Sequence, residues 1–365
     1  MNDLNDAFTP NWASPPGDTI SDLLEERDWT QVELAQRMGY TTKHISLLIN
    51  GEASVTTETA LKLECVLGGT AGFWLAREAQ YREALLRLEE GERLSNWVGW
   101  LDKLPLKELM NTNAIAKQRN VARNRPALVK ELLRFFGVAS PDEWAKHYGE
   151  MQVAFRRTRE TQSDIGAISA WLRLGEIEAE KFDGPKYDKA KFEQALNYIR
   201  SLTVLPPQDF SPRLHERCRE SGVALVLVPA IPRSHVSGVA RWLNPHKPLI
   251  QLSLYGKSND KFWFSFFHEA AHILKHGKKA VFLDEIDGKN IDSMEEREAN
   301  EWAGTMLVPS KYSAELPLLR TKESVCAFAE KLNVHPGIVV GRLQHDGLID
   351  NSWMNGLKVS LRLGE

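Results

Sequence analysis

The chain has 365 residues, of which 42% are hydrophobic and 26% charged, and carries a formal net charge of −3. That length and apolar content suit two or three domains with proper cores. Cys65, Cys218 and Cys326 stand isolated, which excludes a disulfide framework or a cysteine zinc site and reads as small buried hydrophobes. No signal peptide precedes the polar, acidic N-terminus and no apolar run reaches membrane-spanning length, so a cytoplasmic protein with no membrane partner is expected.

The first legible element lies near the N-terminus. Thr30-Gln31-Val32-Glu33 has the form of a capping box opening a helix over 31–38. Gly39 supplies a turn, and Thr41 or Thr42 starts a second helix that runs to about residue 50. Leu34, Ala35, Ile45 and Leu48 are spaced to close a small helical core, which is a helix-turn-helix pattern. Charge complicates a DNA-binding reading. Residues 1–95 hold 8 Lys+Arg against 16 Asp+Glu, whereas phosphate contacts need positive charge. Either the positive charge is concentrated at Arg37, Lys43 and helix N-termini, or a neighbouring region assists.

Residues 96–205 read mostly as helix, for instance 126–136 and 191–202, and are basic, with 18 Lys+Arg against 14 Asp+Glu. Lys117, Arg119, Arg123, Arg125 and Lys130 form one basic run, and Arg156, Arg157 and Arg159 a second cluster. Such runs are usually a solvated face, with phosphate contact as the alternative. Pro206-Pro207 marks the entrance to the next domain. Beyond it, 223–228 reads as a buried strand, and 238–243 pairs with 249–254 as a hairpin through Asn244-Pro245. An exposed strand edge there would suit an extended peptide, although each strand serves equally well as plain core support.

The most specific signal is His268-Glu269-Ala270-Ala271-His272. On a helix the two histidines, four residues apart, face the same way, so both imidazoles reach one Zn²⁺ while the glutamate meets the bound water. Phe262-Trp263-Phe264-Ser265-Phe266-Phe267 leads in and Ile273-Leu274 follows, which describes a helix buried nearly all round, opened near Ser258 or Asn259 and stopped by Gly277. Polar groups buried there need a partner, and a metal is the natural one.

A tetrahedral catalytic zinc wants a third protein ligand. A second helix is expected over 292–309, closed by Pro309. Positions 296, 299, 300, 303 and 307 share one face, where Ala299 and Ala303 allow close approach, so Glu296 is the ligand expected. Glu298 points with Glu301 and Thr305 toward a solvated side. Against Glu296 stands the capping-box form of Ser293-x-x-Glu296; if Asp292 caps instead, Glu295 takes that role and Glu296 is released. Asn300 is a candidate for orienting a histidine. His276 extends the histidine face, either beside the oxyanion or a ligand, or simply as a surface histidine near a helix end. In the tail, 323–332 is helical, another helix begins at Pro336, and 357–363 reads as a short strand. His335 reads as a loop histidine.

Two resemblances follow from these residues. Thr30-Gln31-x3-Ala35-x3-Gly39, Ile45-Ser46 and Asn50-Gly51 resemble the XRE/lambda-repressor-type DNA-binding domain, and the stretch from Gly17 to Phe73-Trp74-Leu75 resembles HigA-type antitoxins. That implies a double-stranded DNA operator contacted by Gln31, Thr41, Thr42, Lys43 and Ser46, with a homodimer because one such helix reads only a few base pairs. His268-Glu269-Ala270-Ala271-His272, Glu296-x-x-Ala299-Asn300-x-Trp302-Ala303 and Met306-Leu307-Val308-Pro309 resemble the ImmA/IrrE-type metallopeptidases, with Trp302 where that family more often has Phe. The resemblance implies zinc on His268, His272 and Glu296, Glu269 as general base, and a repressor or toxin partner as protein substrate. The fold expected is mainly α with a smaller α+β domain: a helix-turn-helix domain over 1–95, a helical linking region over 96–205 and a zincin-like metallopeptidase domain over 206–365. The function expected is a DNA-binding regulator with an endopeptidase domain acting in a stress, phage or toxin-antitoxin response. The alternative is a HigA-like antitoxin and autorepressor whose peptidase fold is only a sensor or scaffold.

Overall fold

The structure, a computed structural model, describes residues 13–156, 164–253, 258–277, 282–285 and 294–361, with the backbone alone at 150–156 and 282–285. Its contacts divide the chain into two units. One holds the described residues up to Val98 with Arg125–Ala127, and the other holds Gly99–Asn124 and the described residues from Leu128 onward. Among the described residues no helix is long and apolar enough to cross a membrane.

The first unit contains α1 (Pro16–Glu26), α2 (Gln31–Met38), α3 (Thr42–Ile49), α4 (Thr57–Leu67) and α5 (Ala71–Asn96). Threonine opens four of them: the side chains of Thr30, Thr41, Thr56 and Thr70 each accept the backbone N–H three residues on. Only half of the capping box expected at Thr30 forms, because the Glu33 carboxylate pairs with Arg37 at 2.7 Å. Gly39 takes φ 65°, the left-handed turn that separates α2 from α3. Ile20, Leu34, Ala35, Ile45, Leu48, Leu63 and Trp74 close the core. At Gly17 a Cβ would stand 1.8 Å from the Ile49 carbonyl oxygen, so only glycine lets α1 approach the end of α3.

The second unit begins with α6 (Leu106–Asn111), α7 (Arg125–Phe136, from its fourth residue), α8 (Pro141–Arg156), α9 (Ile165–Glu180), α10 (Lys189–Ser201) and α11 (Pro207–Glu220). Strands β1 (Ala224–Leu227), β2 (Val236–Asn244) and β3 (Lys247–Leu252) precede α12 (Asn259–Lys275), followed by β4 (Phe282–Glu285), α13 (Met294–Leu307), α14 (Lys322–Leu332) and α15 (Pro336–His345). The sheet order is β1-β3-β2-β4. β1 runs parallel to β3, and β2 is antiparallel to both β3 and β4, with Ala240 opposite Ile250 and Gly238 opposite Leu252.

Strand alternation separates the two faces. Leu225, Ala240, Ile250 and Leu252 join Trp263, Phe266, Phe267, Ala270 and Ile273 of α12 in the main core. The opposite face carries polar Arg241 and Gln251, both buried, and α9 satisfies them. Gln251 donates to the Trp171 carbonyl at 2.7 Å, Arg241 donates to the Leu172 carbonyl at 2.8 Å and pairs with Glu176 at 2.6 Å, and the Trp171 indole donates to the Val228 carbonyl at 3.1 Å. A second tie comes from α10. The Arg200 guanidinium donates to the carbonyls of Met306, Leu307 and Leu332 at 2.7, 3.1 and 2.9 Å, holding the C-terminal ends of α13 and α14.

The expected tail strand over 357–363 does not form as such. Asn355–Leu357 is a 3-10 turn, and among the described residues Ser360 makes an isolated antiparallel bridge with Ser258, with no described strand beside it to continue the ladder; residues 362–363 lie outside the described residues. Of the cysteines Cys218 is buried as expected, whereas Cys65 is exposed and Cys326 half-buried.

Candidate metal centre and nucleic-acid interface

The aromatic lead-in seats α12 against the sheet, so the residues after it arrive in the interior at a fixed phase. Phe264, His268, His272 and His276 follow one another at intervals of four and form a single row. His268 and His272 are 1% and 2% exposed and Glu269 is fully buried. α13 packs against this helix through Ala299 and Ala303, both fully buried, and the small side chains let the backbones approach.

That approach brings Glu296 to the histidines. His268 Nε2 lies 3.2 Å from Glu296 Oε2, His272 Nε2 lies 3.5 Å from Glu296 Oε1, and the two Nε2 atoms are 2.9 Å apart. Donors about 2.0–2.2 Å from a tetrahedral ion are separated by roughly 3.3–3.5 Å, so the observed triangle is near the size that one ion requires. The chemistry of the set points the same way. Asn300 Oδ1 lies 2.9 Å from His268 Nδ1 and accepts its proton, which leaves the Nε2 lone pair directed at the Glu296 side. Burial, with the neighbouring His268 and His276 imidazoles, pushes the His272 pKa down to about 2, so that ring is neutral at ordinary pH. Two imidazole nitrogens and a carboxylate crowded together form a His/His/Glu cluster compatible with metal coordination.

Glu298 does not join the triangle: it meets the C-terminal end of α12, at Lys275 (2.7 Å) and His276 Nε2 (3.4 Å). The capping alternative for Glu296 turns on Asp292 and Ser293, which lie outside the described residues. His276 is not a surface histidine: its side chain is 6% exposed and its Nδ1 is 2.8 Å from His272 Nδ1. His335 stands apart from the cluster, accepting the Gly337 N–H at the start of α15 and lying 2.8 Å from Asn259 Nδ2.

Sequence reasoning missed Gly238. A Cβ there would lie 2.6 Å from Glu269 Oε1, so the glycine on β2 makes the space in which the Glu269 carboxylate sits. The pairing of β2 with β3 placed Gly238 in a strand, but nothing in the chain order pairs it with α12.

In the first unit, Gln31, Thr41, Thr42 and Lys43 are exposed and Ser46 is half-buried. Thr41 also uses its hydroxyl to accept the His44 N–H at 3.2 Å, so its side chain caps α3. Arg37 is occupied as well. Its guanidinium stacks 3.9 Å over the Trp29 ring and bonds Glu33, which leaves Lys43 and the α3 N-terminus as the positive features beside Thr42. In the basic run, Lys117, Arg119 and Arg123 are exposed, while Arg125 donates to the Val98 carbonyl at 3.0 Å. The Arg156, Arg157 and Arg159 side chains lie outside the described residues.

Comparison with known proteins agrees with both units. Residues 20–74 match the helix-turn-helix family profile, and residues 228–344 match the profile of the IrrE N-terminal-like domain. An Escherichia coli (strain K12) protein described as an uncharacterized HTH-type transcriptional regulator, YddM, is 37% identical over 60 residues, which is 16% of this chain and 64% of the relative. The chain thus spans less than two thirds of that relative's length. Taken with the geometry, these matches show a chain that joins an N-terminal helix-turn-helix domain to a C-terminal IrrE-like peptidase domain.

Proposed function

We propose that this protein is a cytoplasmic, DNA-binding regulator whose second unit is a zinc endopeptidase that cleaves a regulatory protein, or the protein itself, in a stress, phage or toxin-antitoxin response. The observation that carries the reading is the convergence of His268, His272 and Glu296 at ion-sized spacing beside a buried Glu269. In this reading residues 1–95 read the operator as a homodimer, 96–205 link, and 206–365 carry the chemistry. His268, His272 and Glu296 would hold a zinc ion, which when bound would supply a water acidified toward pH 7 and a Lewis acid for the scissile carbonyl. Glu269 takes the proton of the attacking water and passes it to the leaving amine. Asn300 and His276 orient the two histidines. Gln31, Thr41, Thr42, Lys43 and Ser46 face DNA, with Lys43 on phosphate and Thr42 and Ser46 toward base edges.

The burial of His268, Glu269 and His272 favours a second reading, in which a HigA-like antitoxin and autorepressor keeps the fold as a sensor or scaffold without proteolysis. Incubation of zinc-loaded protein with the products of neighbouring genes, followed by mass spectrometry for new termini, separates the two. Cleavage by the wild type that falls roughly 10²- to 10⁴-fold in Glu269→Gln supports the enzyme. Persistent cleavage in that variant refutes the mechanism, and no cleavage at all leaves the scaffold. For the first unit, Lys43→Ala should weaken binding to all DNA in gel shifts, whereas Thr42→Ala should change the preferred site.

A further inference from the structure

Asn300 steadies His268, but the other histidine of the pair has a longer support. His272 Nδ1 lies 2.8 Å from His276 Nδ1, His276 Nε2 lies 3.4 Å from Glu298 Oε2, and Glu298 Oε1 is held by Lys275 Nζ at 2.7 Å. Two imidazole nitrogens 2.8 Å apart share one proton, so their tautomers are coupled. If His272 carries its proton on Nδ1, His276 accepts it there and carries its own on Nε2, facing the Glu298 carboxylate. If His276 donates instead, His272 is protonated on Nε2, 2.9 Å from His268 Nε2, and cannot bind a metal.

We propose that Glu298 is a positioning residue for the metal centre, acting through His276 to select the His272 tautomer whose Nε2 lone pair is turned toward His268 and Glu296. A carboxylate beyond His276 favours a proton on the near nitrogen, His276 Nε2, and therefore a bare His276 Nδ1 that accepts from His272. At 3.4 Å the contact acts mainly through charge, and Lys275, the residue before His276, fixes where that charge stands. Glu298 meets the cluster through His276. Its side chain is 48% exposed, so replacing it leaves no hole in the core. The assignment rests on the proposed use of His268, His272 and Glu296 as ligands of one metal.

The test is zinc affinity, measured by chelator competition on the full chain as wild type, Glu298→Ala, His276→Phe and the double variant, with Asn300→Ala for comparison. Glu298→Ala and His276→Phe should each weaken zinc binding about 10- to 100-fold, and the double variant should be no weaker than His276→Phe alone. Asn300→Ala should add its own loss to either. Glu298→Gln, which keeps an acceptor oxygen but not the charge, should fall between wild type and Glu298→Ala. Cobalt(II) absorption gives a second readout, and the ligand-field bands of Glu298→Ala should shift while those of the exposed control Glu301→Ala stay in place. Unchanged affinity and bands in Glu298→Ala, or losses from Glu298 and His276 that simply add, would overturn the proposal. Failure of the wild type to bind one zinc at all would instead overturn the metal reading on which it rests.

Discussion

Replacing Gly238 by alanine puts a methyl group into the space used by the Glu269 carboxylate. The added Cβ would lie 2.6 Å from Oε1 and 3.0 Å from Cγ of Glu269, and 3.0 Å from Leu252 Cδ2, against an ordinary contact of 3.4 Å or more. Relief requires the carboxylate to retreat by roughly 0.8 Å within a fully buried setting, where overpacking of this size costs about 1–3 kcal/mol. In a Glu269→Ala background two of the three close contacts disappear, so the same substitution should cost less than about 1 kcal/mol there. The four-variant unfolding cycle therefore has an expected coupling of about 1–2 kcal/mol between positions 238 and 269. Gly238→Ala should keep its zinc, because the three atoms nearest the new methyl belong to Glu269 and Leu252 and not to a ligand side chain, while any cleavage should slow by about 10²-fold as the base moves out of line. An equal cost in both backgrounds would refute the reasoning, since it would mean that the glycine serves the strand and not the carboxylate.

Arg200→Ala removes three charge-assisted hydrogen bonds from the ends of α13 and α14, each worth up to about 1.5–3 kcal/mol, and after partial rehydration of the carbonyls the expected loss in urea unfolding is about 2–4 kcal/mol. A loss under about 1 kcal/mol would show that the guanidinium is not a clamp. Burial holds His335 below its ordinary pKa of 6.5, while its ring nitrogen accepts the Gly337 N–H as the cap of α15. In the window between the lowered folded pKa and 6.5 the unfolded chain binds the extra proton, so this contribution to stability is complete above about 6.5 and is lost as the pH falls. His335→Asn keeps a good cap without the titration and should flatten the decline between pH 7.5 and 5; an unchanged pH profile would contradict this.

The parts of the fold that depend on local spacing were legible in the sequence. The histidine row of α12, the shared face of Glu296, Ala299, Asn300 and Ala303, and the turn at Gly39 all follow from helical periodicity, the small residues and one left-handed glycine. What escaped depends on contacts distant in the chain. Nothing in the sequence of α9 shows that it covers the sheet face bearing Arg241 and Gln251, because Arg241 and Gln251 look like ordinary polar positions of half-exposed strands. Glu298 looked solvated, and its side chain is 48% exposed, yet its carboxylate reaches Lys275 and His276 at the end of α12. The apolar alternation of Leu357, Val359 and Leu361 suggested a strand, but alternation makes a strand only where a partner backbone lies beside it, and among the described residues Ser258 provides one bridge.

The direct test of the metal centre is metal analysis of purified, extensively dialysed protein, comparing wild type with Glu269→Gln and Glu296→Gln. One zinc per chain is expected in the wild type and in Glu269→Gln, whose carboxylate is a base and not a ligand, and well under one in Glu296→Gln, which loses the third side chain of the triangle. Undiminished zinc in Glu296→Gln, or a wild type that retains none, would contradict a metal held by His268, His272 and Glu296.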